Sequence, residues 1–156
     1  MNWSQRRLIR GVNFWPPFLG AGIRVTRIDR DMKAIDVEMK LRFWNRNYVG
    51  THFGGSLYSM ADPFFMVMLM ENLGPDYIVW DKSATIRFIK PGRGKVTARF
   101  RMCDDDVLRV KQAADLNGKT EPTFTAKVED ESGEVVAEVE KLLYVRLRTS
   151  RSRSAA

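Results

Sequence analysis

The sequence predicts an α+β domain in which a curved antiparallel sheet wraps around a long, apolar central helix. Two observations carry that reading. Several short segments alternate apolar and polar residues and are separated by brief turns, the pattern of antiparallel strands with one buried face. Among them lies one stretch, running on from Gly55 to Leu73, with apolar residues at every angle of a helical wheel, which marks a helix buried on most sides. With 156 residues, 44% hydrophobic and 29% charged, the chain suits one globular domain with a sizeable core. We place that domain at residues 1–147.

The elements follow in order. Residues 2–10 carry Trp3, Leu8 and Ile9 among arginines and predict a short amphipathic helix ending at Gly11. Pro16 and Pro17 then fix the backbone as a packed turn or as the start of a short helix. Ile23–Ile28 and Ala34–Leu41 alternate as two strands of a hairpin, with Ile35, Val37, Met39 and Leu41 on one face. Phe43–Phe53 is a polar loop containing aromatics. The long helix follows, and Gly74-Pro75-Asp76 stops it. Tyr77–Ile89 is a strand in which Ala84, Ile86 and Phe88 alternate against Thr85 and Arg87. After the turn Pro91–Gly94, Lys95–Met102 alternates again. Asp104, Asp105 and Asp106 can cap a short helix over Val107–Leu116, which Asn117-Gly118 closes. Thr123–Val128 and Val135–Leu147 are the last strands, and Glu138, Glu140 and Lys141 give the final one a wet face.

Charge and composition narrow the function. The single cysteine, Cys103, rules out an internal disulfide and fits a reducing, cytoplasmic setting. The start of the chain has no secretory-signal pattern. The run Met60–Leu73 is too short for a bilayer span and carries Asp62 and Glu71. The net charge of +7 permits polyanionic partners, but part of the excess sits in residues 148–156, R-T-S-R-S-R-S-A-A, expected to be a disordered basic tail. No stable nucleic-acid or membrane partner is expected. The lone histidine, His52, has no Cys or acidic cluster beside it, so no metal site is expected.

The best functional lead is the stretch Asn47–Leu73. An ionisable group inside its apolar run, Asp62, costs free energy unless something offsets it. Tyr58 and Ser59 lie four and three residues before it and share its helical face. Pro63 follows directly, and Asp-Pro is also an ordinary N-cap and first helical residue, so Asp62 is either a reactive carboxylate or the cap of a second helical segment after a kink. Gly54 and Gly55 lie where the loop meets the helix. There the first N–H groups lack intrahelical acceptors, and glycine allows either close approach of a ligand or close packing on a strand.

The segment N-Y-V-G-T-H-F-G-G-S-L-Y-S-M-A-D resembles the signature of the PaaI-like acyl-CoA thioesterases, which have the hotdog fold. R-V-T-R-I, W-N-R-N and V-W-D-K-S-A-T-I-R-F-I-K-P-G-R-G resemble the DUF4442 branch of that superfamily. The resemblance covers roughly residues 17–146. It implies hydrolysis of an acyl thioester, with coenzyme A entering as part of the substrate and no other cofactor, in a homodimer or homotetramer with sites at the subunit interface. It implies Asp62 as general base or nucleophile, Gly54 N–H as the oxyanion donor with Gly55 beside it, and Asn47 as a group that places water or the carboxylate, although a turn-forming role is equally natural for Asn47. Tyr58 would line the substrate site. Two positions depart from the pattern. His52 stands one residue before the family position, which Phe53 occupies. Asp81 stands where a small polar residue is usual. If Asp81 meets Asp62, one carboxyl is pushed toward its neutral form. Lys82 is the nearby candidate to compensate it. Arg87, Lys90, Arg93 and Lys95 around the turn would grip phosphates. Phe64, Phe65, Met66, Met68 and Met70 would line the acyl chain, unless they are simply core.

A non-catalytic acyl-CoA or fatty-acid binder is the alternative reading, favoured by the displaced histidine and by Asp81. A nucleic-acid-associated protein rests on charge alone. A dehydratase would need a histidine poised across the site, which His52 is not placed to supply.

Overall fold

Ile35, Val37 and Met39 are fully buried, whereas Asp36 and Glu38 between them are half-buried. That alternation makes the second strand a one-sided ribbon, and its neighbours share the pattern. In this computed structural model, which describes residues 11–148, the strands are β1 (Ile23–Ile28), β2 (Ala34–Lys40), β3 (Tyr77–Phe88), β4 (Lys95–Arg101), β5 (Lys119–Thr120), β6 (Thr123–Asp130) and β7 (Val135–Leu147). They form one antiparallel sheet in the order β1-β2-β4-β6-β7-β3, with β5 also paired to β7. Val37 faces Val25 on one side and Ala98 on the other, so apolar residues align across the strands. The two-residue β5 is an addition to the strands the sequence predicts.

The helices are α1 (Pro16–Ala21), α2 (Gly54–Ser59), α3 (Phe64–Leu73) and α4 (Asp104–Asn117). The prolines do open a short helix, α1, which Gly22 closes at φ 74°. The helix α4 begins earlier than the sequence implies. Cys103 is its N-cap, with the Asp106 carboxylate accepting from the Cys103 N–H at 3.0 Å, so the aspartates occupy the first turn. The predicted helix at residues 2–10 and the tail beyond residue 148 lie outside the described residues. Arg148 itself is tied down, its N–H donating to the Asp76 carbonyl at 2.7 Å.

The central helix lies against the inner face of the sheet. Phe64 and Phe65 pack on Phe100 with ring centroids 5.0 and 5.2 Å away, and Phe65 stacks on Phe124 at 5.1 Å. Met60, Met68 and Leu69 are fully buried with them. The helix is interrupted, however. Pro63 has no N–H to donate to the Ser59 carbonyl, and the bonds tighten to Ala61 N–H on Tyr58 O at 2.8 Å before α3 restarts with Val67 N–H on Pro63 O at 3.0 Å. Asp62 sits on this break. Among the described residues no helix is long and apolar enough to cross a membrane.

Candidate active site

The structure gives the Asp62 carboxylate two partners and leaves the helix uncapped by it. Its Oδ1 accepts from the Tyr58 hydroxyl at 2.6 Å and from Lys141 Nζ at 2.8 Å. The N-cap position of α3 belongs to Pro63, with no side-chain cap. Among the described residues no donor reaches Asp62 Oδ2, and the side chain is 46% exposed. One oxygen is therefore anchored and the other free.

Lys141 corrects the sequence reading. It was expected on the wet face of the last strand, yet its side chain is 0% exposed. It shares the inward parity of Val139 and Leu143 on β7, both fully buried. Its three ammonium protons find three acceptors: Asp62 Oδ1, Asp81 Oδ2 at 3.1 Å and the Tyr58 hydroxyl oxygen at 3.2 Å. Burial works against the charge, but the bonds to Asp62, Asp81 and Tyr58 outweigh it, and the pKa of Lys141 stands above the ordinary lysine value.

Asp81 reaches this cluster through a β-bulge. Asp81 pairs with Leu143 and Ser83 with Leu142, so Lys82 is one residue extra on β3. The extra residue puts Asp81 on the same face as Ala84, Ile86 and Phe88, which pair with Lys141, Val139 and Ala137. Lys82 turns away and pairs with Glu121 at 2.7 Å, so compensation comes from Lys141 instead. The two partners respond unequally. Burial pushes the Asp81 carboxyl above the ordinary range; Lys141 opposes this without cancelling it, and the Asp62 charge adds to it. We take burial as decisive, because Asp81 Oδ1 is buried with no partner among the described residues. The Tyr58 hydroxyl is likewise raised, by burial and by its bond to Asp62.

The glycine entrance forms a second part of the site. A cavity of about 400 Å³ is lined by Asn47, Thr51, His52, Gly54, Leu57, Phe88, Ile89, Lys90, Pro91 and Gly92. None of Asp62, Tyr58 and Asp81 lines it. A Cβ on Gly54 would lie 2.8 Å from the Phe88 ring, and one on Gly55 would lie 2.5 Å from the Phe53 ring, so both glycines permit close packing. Gly54 N–H, at the first helical position, has no acceptor among the described residues.

Two expected groups are occupied structurally. The Asn47 side chain donates to Thr51 Oγ1 at 2.9 Å and to the His52 carbonyl at 3.2 Å, while its oxygen accepts from Val49 and Thr51 N–H. That holds its own turn together. Asn45 does similar work, donating to the Ala21 and Lys40 carbonyls at 2.8 and 3.0 Å. His52 is 3% exposed, with Nε2 3.1 Å from the Gly94 carbonyl. A carbonyl can only accept, so Nε2 carries the proton and the buried Nδ1 is left without a partner among the described residues. Burial holds the His52 pKa below the ordinary value, favouring the neutral ring.

The basic strand end is largely neutralised within the chain. Arg87 pairs with Glu138 at 2.6 Å, Lys90 with Asp130 at 2.6 Å and with Glu134, and Lys95 with Glu38 at 3.4 Å. Arg93 is exposed and has no ion pair among the described residues. Of the apolar helix residues, Phe64, Phe65 and Met68 are core, whereas Met66 is half-buried and Met70 is 46% exposed.

Comparison with known proteins places this geometry. Residues 4–145 match the family model described as "Domain of unknown function (DUF4442)". No match is found among curated proteins. Among solved structures, PA5026 from Pseudomonas aeruginosa, a protein of unknown function named a probable thioesterase, superposes with a TM-score of 0.81 at 22% identity, covering 92% of this chain and 96% of that one. The thioesterase HI1161 from Haemophilus influenzae gives 0.64 at 14% identity, over 89% and 88%. A mutant of the thioesterase PA1618 from Pseudomonas aeruginosa gives 0.66 at 12% identity, over 95% and 96%. The shared arrangement, one antiparallel sheet around a central helix, is the hotdog fold. A match over most of the chain, on a hotdog scaffold, shows that this chain belongs to the DUF4442 family.

Proposed function

We propose that this protein hydrolyses an acyl thioester, with coenzyme A as the thiol half of the substrate. The observation that carries the reading is Asp62, whose Oδ1 is held by two donors while no donor among the described residues reaches Oδ2. In the proposed step, Oδ2 takes a proton from water and the resulting hydroxide attacks the thioester carbonyl carbon. Gly54 N–H stabilises the oxyanion, the C–S bond breaks, and the thiolate leaves with the proton that Asp62 took from water, which regenerates the carboxylate. Direct attack by Oδ2, followed by hydrolysis of the mixed anhydride, is the covalent variant. The acyl chain would run along Met66 and Met70, the outward methionines, and Arg93 would meet a phosphate.

A dimer completes this proposal. Asn13 closes the outer edge of β1, donating to the Val25 carbonyl at 3.0 Å and accepting from its N–H at 2.7 Å. The opposite edge, the twelve-residue β3, has no such cover among the described residues and exposes Trp80 and Phe88. A long open edge of this kind is a template for pairing with a second strand. Pairing two copies there would set their central helices side by side and bring the carboxylates of one chain toward the glycine cavity of the other. A tetramer would add a second such contact elsewhere. We place the protein in the cytoplasm, consistent with its single exposed cysteine.

The test is thiol release from acyl-CoAs of graded chain length by the wild type and by Asp62→Asn. The variant should lose about a hundredfold or more in kcat while still binding acyl-CoA. Unchanged release would remove Asp62 from the chemistry. Binding without release by the wild type would leave the non-catalytic binder, a reading favoured by the structural engagement of Asn47 and His52.

A further inference from the structure

We infer that Lys141 is the positioning residue of this site: it selects which oxygen of Asp62 is available to react. The inference rests on the proposed role of Asp62.

Three observations carry it. First, Lys141 is wholly buried and all three of its protons are taken, by Asp62, Asp81 and Tyr58, so it has none left for a ligand. It acts through its neighbours. Second, it shares Asp62 Oδ1 with the Tyr58 hydroxyl, and it also lies 5.3 Å from the Tyr58 ring centre. Two donors converge on one oxygen, and none among the described residues reaches Oδ2. Third, the position is otherwise costly. An ammonium replaces an apolar side chain in a row of Val139, Leu143 and Val145, flanked across the sheet by Ala84 and Phe124. Core packing alone would place a hydrophobic residue there.

The charges account for the arrangement. Asp62 and Asp81 approach one another from different elements, the helix break and the bulged strand. The Asp62 charge pushes Asp81 toward its neutral form. Lys141 stands between them and meets both. The groups that face it are therefore Tyr58 and Asp62 from the helix and Asp81 from β3; its strand neighbours Ala84 and Phe124 bring no charge. With Lys141 in place, one buried cation meets both carboxylates, and Asp62 keeps one oxygen without a donor among the described residues.

The experiment replaces Lys141 by Met, which keeps the apolar stem and removes the charge. Its kcat should fall about tenfold or more with KM little changed. Lys141→Ala supplied with ethylammonium should recover kcat saturably. A fall in kcat that ethylammonium leaves unrestored, or one matched by a rise in KM, would mean a structural role only and would overturn the inference. If the wild type releases no thiol, the hydrolase reading fails by itself. The positioning role is then read from the carbon NMR signal of the Asp62 carboxyl at neutral pH, which should shift in Lys141→Met as two donors on Oδ1 become one; an unchanged signal overturns it. If neither variant folds, the nitrogen signal of the Lys141 ammonium is followed in the wild type. Its protons should exchange slowly with solvent. Exchange at the rate of a free lysine would overturn the inference.

Discussion

Asp81 Oδ2 lies 3.1 Å from Lys141 Nζ because β3 carries one residue more than the strand it pairs with. Without the extra Lys82, Asp81 and Ala84 would point to opposite faces of the sheet. With it, both lie on the same face of the sheet, one to complete an ion cluster and the other, exposed at the sheet edge, to sit opposite Lys141.

The Asp81 cluster sets a pH dependence of stability. Burial holds the Asp81 carboxyl above its ordinary value of 3.8. The folded chain thus keeps a proton that the unfolded chain has released. This group favours folding most at pH below 3.8, and that advantage is lost as pH rises through the raised value. Asp81→Asn removes the titration. Its thermal midpoint should decline less than that of the wild type as pH rises from about 4 to about 6; parallel curves would contradict the assignment.

His52 works in the opposite sense. Its folded pKa lies below the ordinary 6.5 because burial disfavours the charged ring. As pH drops below 6.5 the unfolded chain takes up a proton that the folded chain lacks, so this contribution is full above 6.5 and is lost as pH falls through the folded value. His52→Gln keeps a donor for the Gly94 carbonyl but does not titrate. Urea unfolding at a series of pH values should show a shallower acid slope for the variant than for the wild type.

Gly54 and Phe88 are coupled sterically. A methyl on Gly54 would meet the Phe88 ring at 2.8 Å, although that ring is 56% exposed and can swing aside. Gly54→Ala should cost about 1 kcal/mol in the wild type and be neutral or stabilising by roughly 0.5 kcal/mol in a Phe88→Ala background, where helix propensity prevails. A double-mutant cycle by chemical denaturation reads the difference; additive effects would mean the ring is not the obstacle.

The open β3 edge predicts a defined assembly. Ala84 is exposed on it, opposite the buried Lys141 of its own sheet partner. Ala84→Glu would set two like charges against each other across a two-fold pairing. Light scattering after size exclusion should then show a monomer where the wild type gives a dimer or tetramer. A wild type that is monomeric at micromolar concentrations would end the proposal of an interface site.

The strands, the central helix, the turns and the positions of Asp62 and the glycine pair along that helix are legible in consecutive residues. Those are set by local periodicity and by Pro and Gly backbone limits, which are written in consecutive residues. The sequence also left the helix break legible in Asp62-Pro63, though not whether Asp62 would cap it. Only the tertiary structure decided that Lys141 is buried, because charge marks a residue as wet unless partners from distant segments converge on it. Here those partners are Tyr58 and Asp62, about eighty residues earlier, and Asp81, brought inward by a bulge that no local pattern announces. The same holds for Asn47 and His52, whose polar groups are spent on a turn and on Gly94. Periodicity fixes which face a residue occupies, while the hydrogen-bond partners that let a charge lie in the core are a property of the assembled sheet and helix alone.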